Sequence, residues 1–416
     1  MSDFTQGWDA VLALAFSAVN ETFTDAIKAG LIPKSGQHSY TFAAGSDDTD
    51  VNVSASVGPW RVVEAHGAKV VVQIILTGGS LVYDKYTVDL TRLDYKVTVP
   101  LVYDEMEGDG GPNYMLTLDF DDKETIAVPN MSLIASQVPR NDLMALNAAL
   151  TDFFFDALSG GAVDLVRVDS AVLGEGRKWL APKAFSCSGM TRAAGDGALA
   201  LLISTVNPPP RSASPLGEDS VPAGMRCAFI LSNELLAKCF VVPAFAKALN
   251  IPIKNVNVRP GRPWAMEITN PAVVENATVH KARAVVSKGE LRVAMTGVAK
   301  FWGGATIAFD ITATYDVVVG GDPSAPKIAF RRLTRDHAHK IQVSTASKAV
   351  TLGSTGLQTS RAEELMIAVM NLVAPQRLGN PFALDFMTAV KWPFGRRVAP
   401  KFAKLPDALQ LIFDPV

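Results

Sequence analysis

The chain has 416 residues, more than one hydrophobic core usually organises, so at least two domains are expected. Hydrophobic residues make up 48% and charged residues 19% of it, below the roughly 25% charged of ordinary soluble domains, which suits extensive buried or concave apolar surface. A net charge of −2 excludes the basic footprint that nucleic-acid binding requires, so no nucleic acid is expected as a partner.

Met1-Ser2-Asp3-Phe4 carries no cation ahead of the apolar run 11–19, so no signal peptide is expected. The run 11–16 ends at Ser17, a natural N-cap, and Val19, Phe23 and Ile27 follow at helical spacing. Val51, Val53, Ala55 and Val57 alternate with polar residues, as in a half-buried strand. The richest apolar run, 70–76, is broken by Gln73 and far too short for a membrane span. In 88–99 the apolar phase slips between Leu90 and Leu93, which predicts a bulge. A second helix opens at Asn141, carries Leu143, Leu146, Leu150, Phe153 and Ala157 on one face, and stops at Gly160-Gly161.

Residues 207–224 hold prolines 208, 209, 210, 215 and 222, a linker composition that divides the chain into domains 1–206 and 225–416. Beyond it the pattern recurs. Cys227-Ala-Phe-Ile-Leu231 ends at Ser232, offset 215 from Ser17, and leads into Leu235, Cys239, Val242, Ala246 and Leu249. Arg262-Pro263-Trp264 answers Gly58-Pro59-Trp60 at offset 204. A helix opening at Ser360, with Glu363 completing a capping box, answers Asn141 at offset 219. Lys391-Trp392 answers Lys178-Trp179 at offset 213, and 408–413 answers 198–203 at offset 210. An internal duplication is therefore expected. Residues 305–319 keep one apolar face for fifteen residues, about 50 Å at ~3.3 Å each. Connections such as Gly78-Gly79 and Gly303-Gly304 are too short for crossover helices, so the sheets should be antiparallel and the class α+β.

Catalytic and nucleotide motifs are absent, and five histidines leave few general bases, so no enzyme activity, catalytic residue or cofactor is expected. Asp336-His337-Ala338-His339 sets two imidazoles on one strand face with no third ligand nearby, and no metal is expected. Glu105, Glu107, Asp109 and Gly110 imitate the start of a calcium loop, but Leu116 stands where a bidentate glutamate is needed. The odd trio Cys187, Cys227 and Cys239 lacks metal or redox spacing and reads as buried thiols in a reducing, cytoplasmic setting.

Two basic clusters stand out. One is Lys327, Arg331, Arg332, Arg335 and Lys340; the other is Lys391, Arg396, Arg397, Lys401 and Lys404, interleaved with Trp392, Phe394 and Phe402. Cations among Trp and Phe suit an anionic membrane surface or lipid headgroup, and a solvated surface is the alternative.

Gly7-Trp8-Asp9-Ala-Val with Val19-Asn20, Gly58-Pro59-Trp60 before a β-rich stretch, and Phe229-Ile-Leu-Ser-Asn233 leading to Val242-Pro243-Ala244 resemble the tubular lipid-binding (TULIP) superfamily. Within it the likeness is to the clostridial forty-seven-kilodalton and OrfX proteins of toxin gene clusters. The resemblance implies two tandem modules, each a long helix wrapped by a highly curved antiparallel sheet. It implies a non-enzymatic role with a lipid or other apolar ligand as partner, along with proteins of the same gene cluster. A structural or assembly protein with self-filled cavities is the first alternative, and an enzyme of unfamiliar type the second. With the gap between helix and sheet as the groove, Val19, Phe23, Ile27, Leu235, Cys239 and Val242 are its candidate lining.

Overall fold

The computed structural model describes residues 5–44, 47–108, 111–169, 182–206, 208–209, 216–259, 264–274, 277–287, 290–300, 306–322, 325–332, 338–343, 382–383, 390–393, 398–404 and 408–415. The chain forms two compact units. The first comprises Val11–Ala228, Asp385–Val398 and Phe413–Val416; the second comprises Met1–Ala10, Phe229–Leu384 and Ala399–Ile412.

Strand β1 (Ala10–Ala15) runs directly into helix α1 (Phe16–Ala29). The strands β2 (Ser35–Ala44), β3 (Asp47–Gly67), β4 (Lys69–Tyr83), β5 (Tyr86–Asp89), β6 (Asp94–Gly108), β7 (Gly111–Asp119) and β8 (Ile126–Pro129) follow. After the short α2 (Ser132–Ala135), helix α3 (Leu143–Phe153) continues into a π-turn (Phe154–Leu158). Strands β9 (Ala162–Asp169), β10 (Ala184–Thr191) and β11 (Gly197–Ser204) come next. The second unit's share begins with β12 (Cys227–Ser232), α4 (Asn233–Leu236), a π-turn (Ala237–Val241) and α5 (Val242–Ala248). Then come β13 (Val256–Arg259), β14 (Trp264–Ile268), β15 (Ala272–Val274), β16 (Ala277–Ser287), β17 (Glu290–Lys300), β18 (Thr306–Asp322), β19 (Ala325–Arg332), β20 (Ala338–Val343) and β21 (Phe382–Ala383). The strands β22 (Val390–Lys391), β23 (Val398–Lys404) and β24 (Ala408–Pro415) end the chain.

In the first unit the sheet order is β22-β9-β7-β6-β4-β3-β10-β11-β1, with β2, β5 and β8 added to β3, β4 and β6. The expected antiparallel pairing is found in the meander β2-β3-β4-β6-β7 and on through β9 and β22. Alternation drives it: Val70, Val72, Ile74 and Leu76 of β4 point inward while their neighbours reach the surface. Helix α1 touches β3, β9 and β11. On a flat sheet β9 and β11 would lie about 29 Å apart, six strand spacings of ~4.8 Å, and α1, about 21 Å long at ~1.5 Å per residue, could not reach both even laid across the strands. The sheet therefore wraps the helix. Register shifts at Ser56/Val57, Val57/Trp60 and Val62/Glu64 bend β3 to allow it. At the last of these the Val62 amide donates instead to Asn20 Oδ1 of α1, at 2.7 Å.

The interior is filled with rings. Phe23 of α1 packs edge-on against Trp60 at 5.8 Å and Phe120 at 6.3 Å, Trp60 meets Phe120 at 4.8 Å, and Phe154 lies 6.4 Å from Trp60. All four are fully buried, and each contributes roughly 1.5–3 kcal/mol by burial alone. Tyr95 seals the cluster against α3, its hydroxyl donating to the Leu150 carbonyl at 3.1 Å.

In the second unit the sheet runs β13-β14-β16-β17-β18-β19-β21, with β15 on β16 and β20 on β18, and every pair is antiparallel. β18 has 17 residues, in line with the long one-faced strand read over 305–319. Leu235, Leu236, Val242, Phe245, Ala246 and Leu249 are buried along 233–249.

Several local expectations are corrected. Helix α1 begins at Phe16 with Ala15 in the cap position and no side-chain cap; the exposed Ser17 lies inside the first turn. The Ala15 amide is held instead by the Arg226 carbonyl. Ser232 does cap its helix, Oγ accepting from the Leu235 amide at 3.1 Å. The phase slip at 90–93 is a turn between β5 and β6, with Arg92 at φ 77 and the Leu93 amide bonded to Leu90. Gly78-Gly79 is no connection; it lies within β4, where Gly79 pairs with Ala55 of β3. The helices are short, 14 residues in α1 and an α–π–α succession over 233–248 in the second unit. The later part of the Pro-rich stretch is packed, with Leu216 and Val221 buried and Arg192 donating to the Glu218 carbonyl at 2.9 Å. The answering segments 170–181 and 360–372 lie outside the described residues.

Candidate functional site

Where α1 ends, the sheet does not close upon it. Gly30, at φ 78, stops the helix and returns its amide to Ala26 and Ile27. Beyond it the chain leaves an open-sided cleft of 520 Å³, bounded by Ala26 and Leu31 on one side and by β6, β7, β9 and β22 on the other. All of its lining belongs to the first unit. Its volume lies within the ~300–1,000 Å³ of small-ligand pockets.

The register explains the lining. Arg167 of β9 stands opposite Met115 of β7 on one side and Lys391 of β22 on the other, and Met115 stands opposite Asp104 of β6. One residue pair further along the same face, Thr117 is opposite Asp164. These strands present Met106, Met115, Asp164, Arg167 and Lys391 to the cleft, Val163 and Val166 also line it, and Leu116, Leu118 and Val168 are buried. Trp392 and Pro393 complete the wall.

Its charges are partly answered within the wall. Lys391 Nζ bonds Asp169 Oδ2 at 2.8 Å. Loss of water around Asp164 pushes its carboxyl up, with the nearby Asp104 adding to the rise. The Thr117 hydroxyl, 3.4 Å away, and Arg167 oppose that shift without cancelling it. Arg167 Nε and Trp392 Nε1 are buried and meet no hydrogen-bond partner among the described residues.

The residues read from sequence fall elsewhere or at the cleft's edge. Val19 and Phe23 are core, and Ile27 is half-buried. The cleft uses Ala26 of the same helix. In the second unit Leu235 and Val242 are buried and Cys239 is half-buried. Lys391 lines the cleft. Arg331 is exposed and paired with Asp316 at 3.8 Å. Lys401 is exposed on β23, and Arg332 lies on β19. Arg335, Arg396, Arg397 and His337 fall outside the described residues. Of the calcium-like stretch, Glu105 and Glu107 lie on β6 at register positions opposite Tyr114 and Pro112 of β7, Leu116 is buried, and Asp109 and Gly110 fall outside the described residues. Among the described residues no three metal-binding side chains gather, and no helix is long and apolar enough to cross a membrane. Arg167 and Asp164 went unnoticed in the sequence. Val163, Leu165, Val166 and Val168 are the buried positions of this strand, and Asp164 and Arg167 are the charges set between them.

Of the cysteines Cys227 is a core group, while Cys187 and Cys239 are half-buried. Burial pushes the Cys187 thiol up to about 11, and its Sγ donates to the Leu101 carbonyl at 2.8 Å. Cys227 is buried, and loss of water raises Cys239 as well, with Asp9 adding to the rise. The thiolate is the reactive form, so iodoacetamide at pH 8 should leave Cys187 and Cys227 unmodified in the native protein. Intact-mass analysis should find all three alkylated in denaturant.

No protein-family model matches the sequence, and no curated protein is similar to it. Solved structures do match. The structure of P47 from Clostridium botulinum A2 aligns with a TM-score of 0.67 at 13% identity, covering 98% of this chain and 97% of that one. The crystal structure of P47 of Clostridium botulinum E1 aligns at 0.65 and 12% identity, covering 98% of each. The chain thus shares the P47 fold along nearly its whole length. A crystal structure of lipopolysaccharide binding protein aligns at 0.35 and 10% identity, too low a score to bear on the fold.

Proposed function

We propose, from the fold shared with P47 and from the cleft in the first unit, that this chain binds an apolar ligand without catalysing a reaction. The observation that carries the reading is the cleft, 520 Å³ and largely apolar at the end of a helix wrapped by sheet. Lipid is the ligand class the sequence resemblance implies, and the adaptable Met106 and Met115 side chains suit a flexible chain. The duplication read in the sequence is kept as part of this proposal, with an equivalent groove in the second unit around Leu235, Cys239 and Val242. The basic-aromatic segment at Lys391, Arg396, Arg397 and Lys401, and the cluster at Arg331, Arg332 and Arg335, are proposed to face anionic headgroups.

A second reading has its own observation. Phe23, Trp60, Phe120 and Phe154 fill the space between α1 and the sheet, as expected of an assembly protein whose interior is occupied by its own side chains. The uncharged dye Nile red separates the two. It should brighten on binding the wild-type chain, and Met115→Trp, which fills the cleft, should weaken that binding at least tenfold. Equal binding by the variant, or no binding by wild type, favours the assembly reading.

A further inference from the structure

Charge is sorted between the two units of this chain. The first unit holds 28 acidic residues against 19 lysines and arginines, and the second holds 13 against 20. The overall charge of −2 therefore hides two bodies of opposite sign, and surfaces of opposite sign steer association and fix its register.

The excess is local on both sides. Residues 97–122, which make most of β6 and all of β7, include seven acids and no lysine or arginine. Asp104 and Glu105 are exposed there and form no ion pair among the described residues. In the second unit, residues 276–309 span β16 and β17 and carry five cations and one acid, Glu290. Alternation sets those cations outward. In β17 Leu291, Val293, Met295 and Ala299 are buried, while Arg292 and Lys300 are exposed at the opposite phase. Register puts Lys281 of β16 opposite Thr296 and Arg283 opposite Ala294, so the four cations share one face. Glu267 engages Arg283 at 3.3 Å. Lys281, Arg292 and Lys300 form no ion pair among the described residues.

The rest of the face selects its occupant. A phosphate backbone wants an unbroken basic track, but Asp310 and Asp316 of β18 stand opposite Thr296 and Glu290 on this same face. A membrane surface wants large apolar side chains among the cations. Here the residues between Arg292 and Lys300 on the face are Ala294, Thr296 and Val298, and no exposed large apolar side chain among the described residues belongs to β16 or β17. An acidic protein surface fits, and every other copy of this chain carries one.

We infer that copies of this chain associate through unlike surfaces, the acidic β6–β7 hairpin of one against the basic β16–β17 face of another. This contact is independent of the cleft and goes beyond the ligand reading. β16, β17 and β18 together offer about 36 Å by about 14 Å, roughly 500 Å² a side, the size of a weak and reversible interface.

Sedimentation velocity of the full chain tests it at about 0.01 M and about 0.15 M salt, where the Debye length is about 30 Å and about 8 Å. Wild type should self-associate at low salt and at least tenfold more weakly at the higher salt. Lys281→Gln with Arg292→Gln, and separately Asp104→Asn with Glu105→Gln, should each weaken low-salt association at least tenfold. All four side chains are exposed, and circular dichroism of both variants should match wild type. Mixed in equal amounts, the two variants should bind each other more tightly than either binds itself, since each keeps the surface the other has lost. Wild type that stays monomeric at low salt, association that neither variant weakens, or a mixture no tighter than its parts overturns the contact. A monomeric wild type that binds phosphatidylserine vesicles through Lys281 and Arg292 also overturns it, and gives the face to a membrane.

Discussion

Trp60→Ala should destabilise the first unit by about 3–5 kcal/mol, the range for truncating a large buried aromatic. Trp60 is fully buried where β3 bends, and it holds Phe23, Phe120 and Phe154 together. Alanine would remove the ring from the middle of that cluster, and the surrounding backbone is fixed by paired strands that collapse poorly into a void. Its indole Nε1 is buried and meets no hydrogen-bond partner among the described residues, so Trp60→Phe loses volume but also removes a donor of that kind. The phenylalanine variant should lie much closer to wild type than the alanine one. Urea unfolding followed by near-ultraviolet circular dichroism reads both. The midpoint of the first unit's transition should fall with an unchanged slope. A Trp60→Ala midpoint within 1 kcal/mol of wild type would show that the aromatic cluster does not hold the sheet to α1.

Gly79→Ala should be similarly damaging for a different reason. Gly79 sits inside β4 at φ 131, a region L side chains avoid, and pairs directly with Ala55 of β3. An added Cβ would overlap the Ser54 carbonyl and come within 2.5 Å of the Ala55 Cα. Both are backbone atoms of the neighbouring strand, so no side chain can swing aside. Strain and overpacking together should cost about 2–5 kcal/mol. Two neighbouring glycines are internal controls. Gly78 has no positive φ and open space around its missing Cβ, so Gly78→Ala should be neutral or slightly stabilising. Gly67 has φ 58 and open space, so Gly67→Ala should cost about 1–2 kcal/mol. Thermal unfolding of the three variants should rank them Gly79, Gly67, Gly78 from most to least damaged. A Gly79 variant as stable as the Gly78 variant would contradict the described pairing.

The sequence made the antiparallel, helix-poor architecture legible because strand alternation is a direct record of burial. Val51, Val53 and Ala55 are buried as their spacing says, and so are Phe309, Ile311, Ala313, Tyr315 and Val317 of β18. What alternation cannot show is where a regular ladder is interrupted by backbone geometry. Gly78-Gly79 looked like a hairpin because glycine marks both turns and close backbone approach, and here the second cause operates. Ser17 looked like a cap because capping is read from residue type, yet the strand β1 continues without a break into the helix. Position within the wrapped sheet was also hidden. Val19 and Phe23 share a helix face with Ala26, but of the three only Ala26, in the last turn, lines the cleft, and that depends on strands about 80 to 370 residues away in the chain. Arg167 and Lys391 come together through the pairing of β9 with β22, a contact that local pattern cannot predict.

The most direct test of the apolar cleft is to photolabel the full chain with an uncharged alkyl diazirine and map the modified peptides by mass spectrometry. Label should concentrate on the peptides bearing Met106, Met115, Val163 and Trp392, and should be displaced by Met115→Trp. Label spread evenly over both units, or unchanged in that variant, would contradict the account.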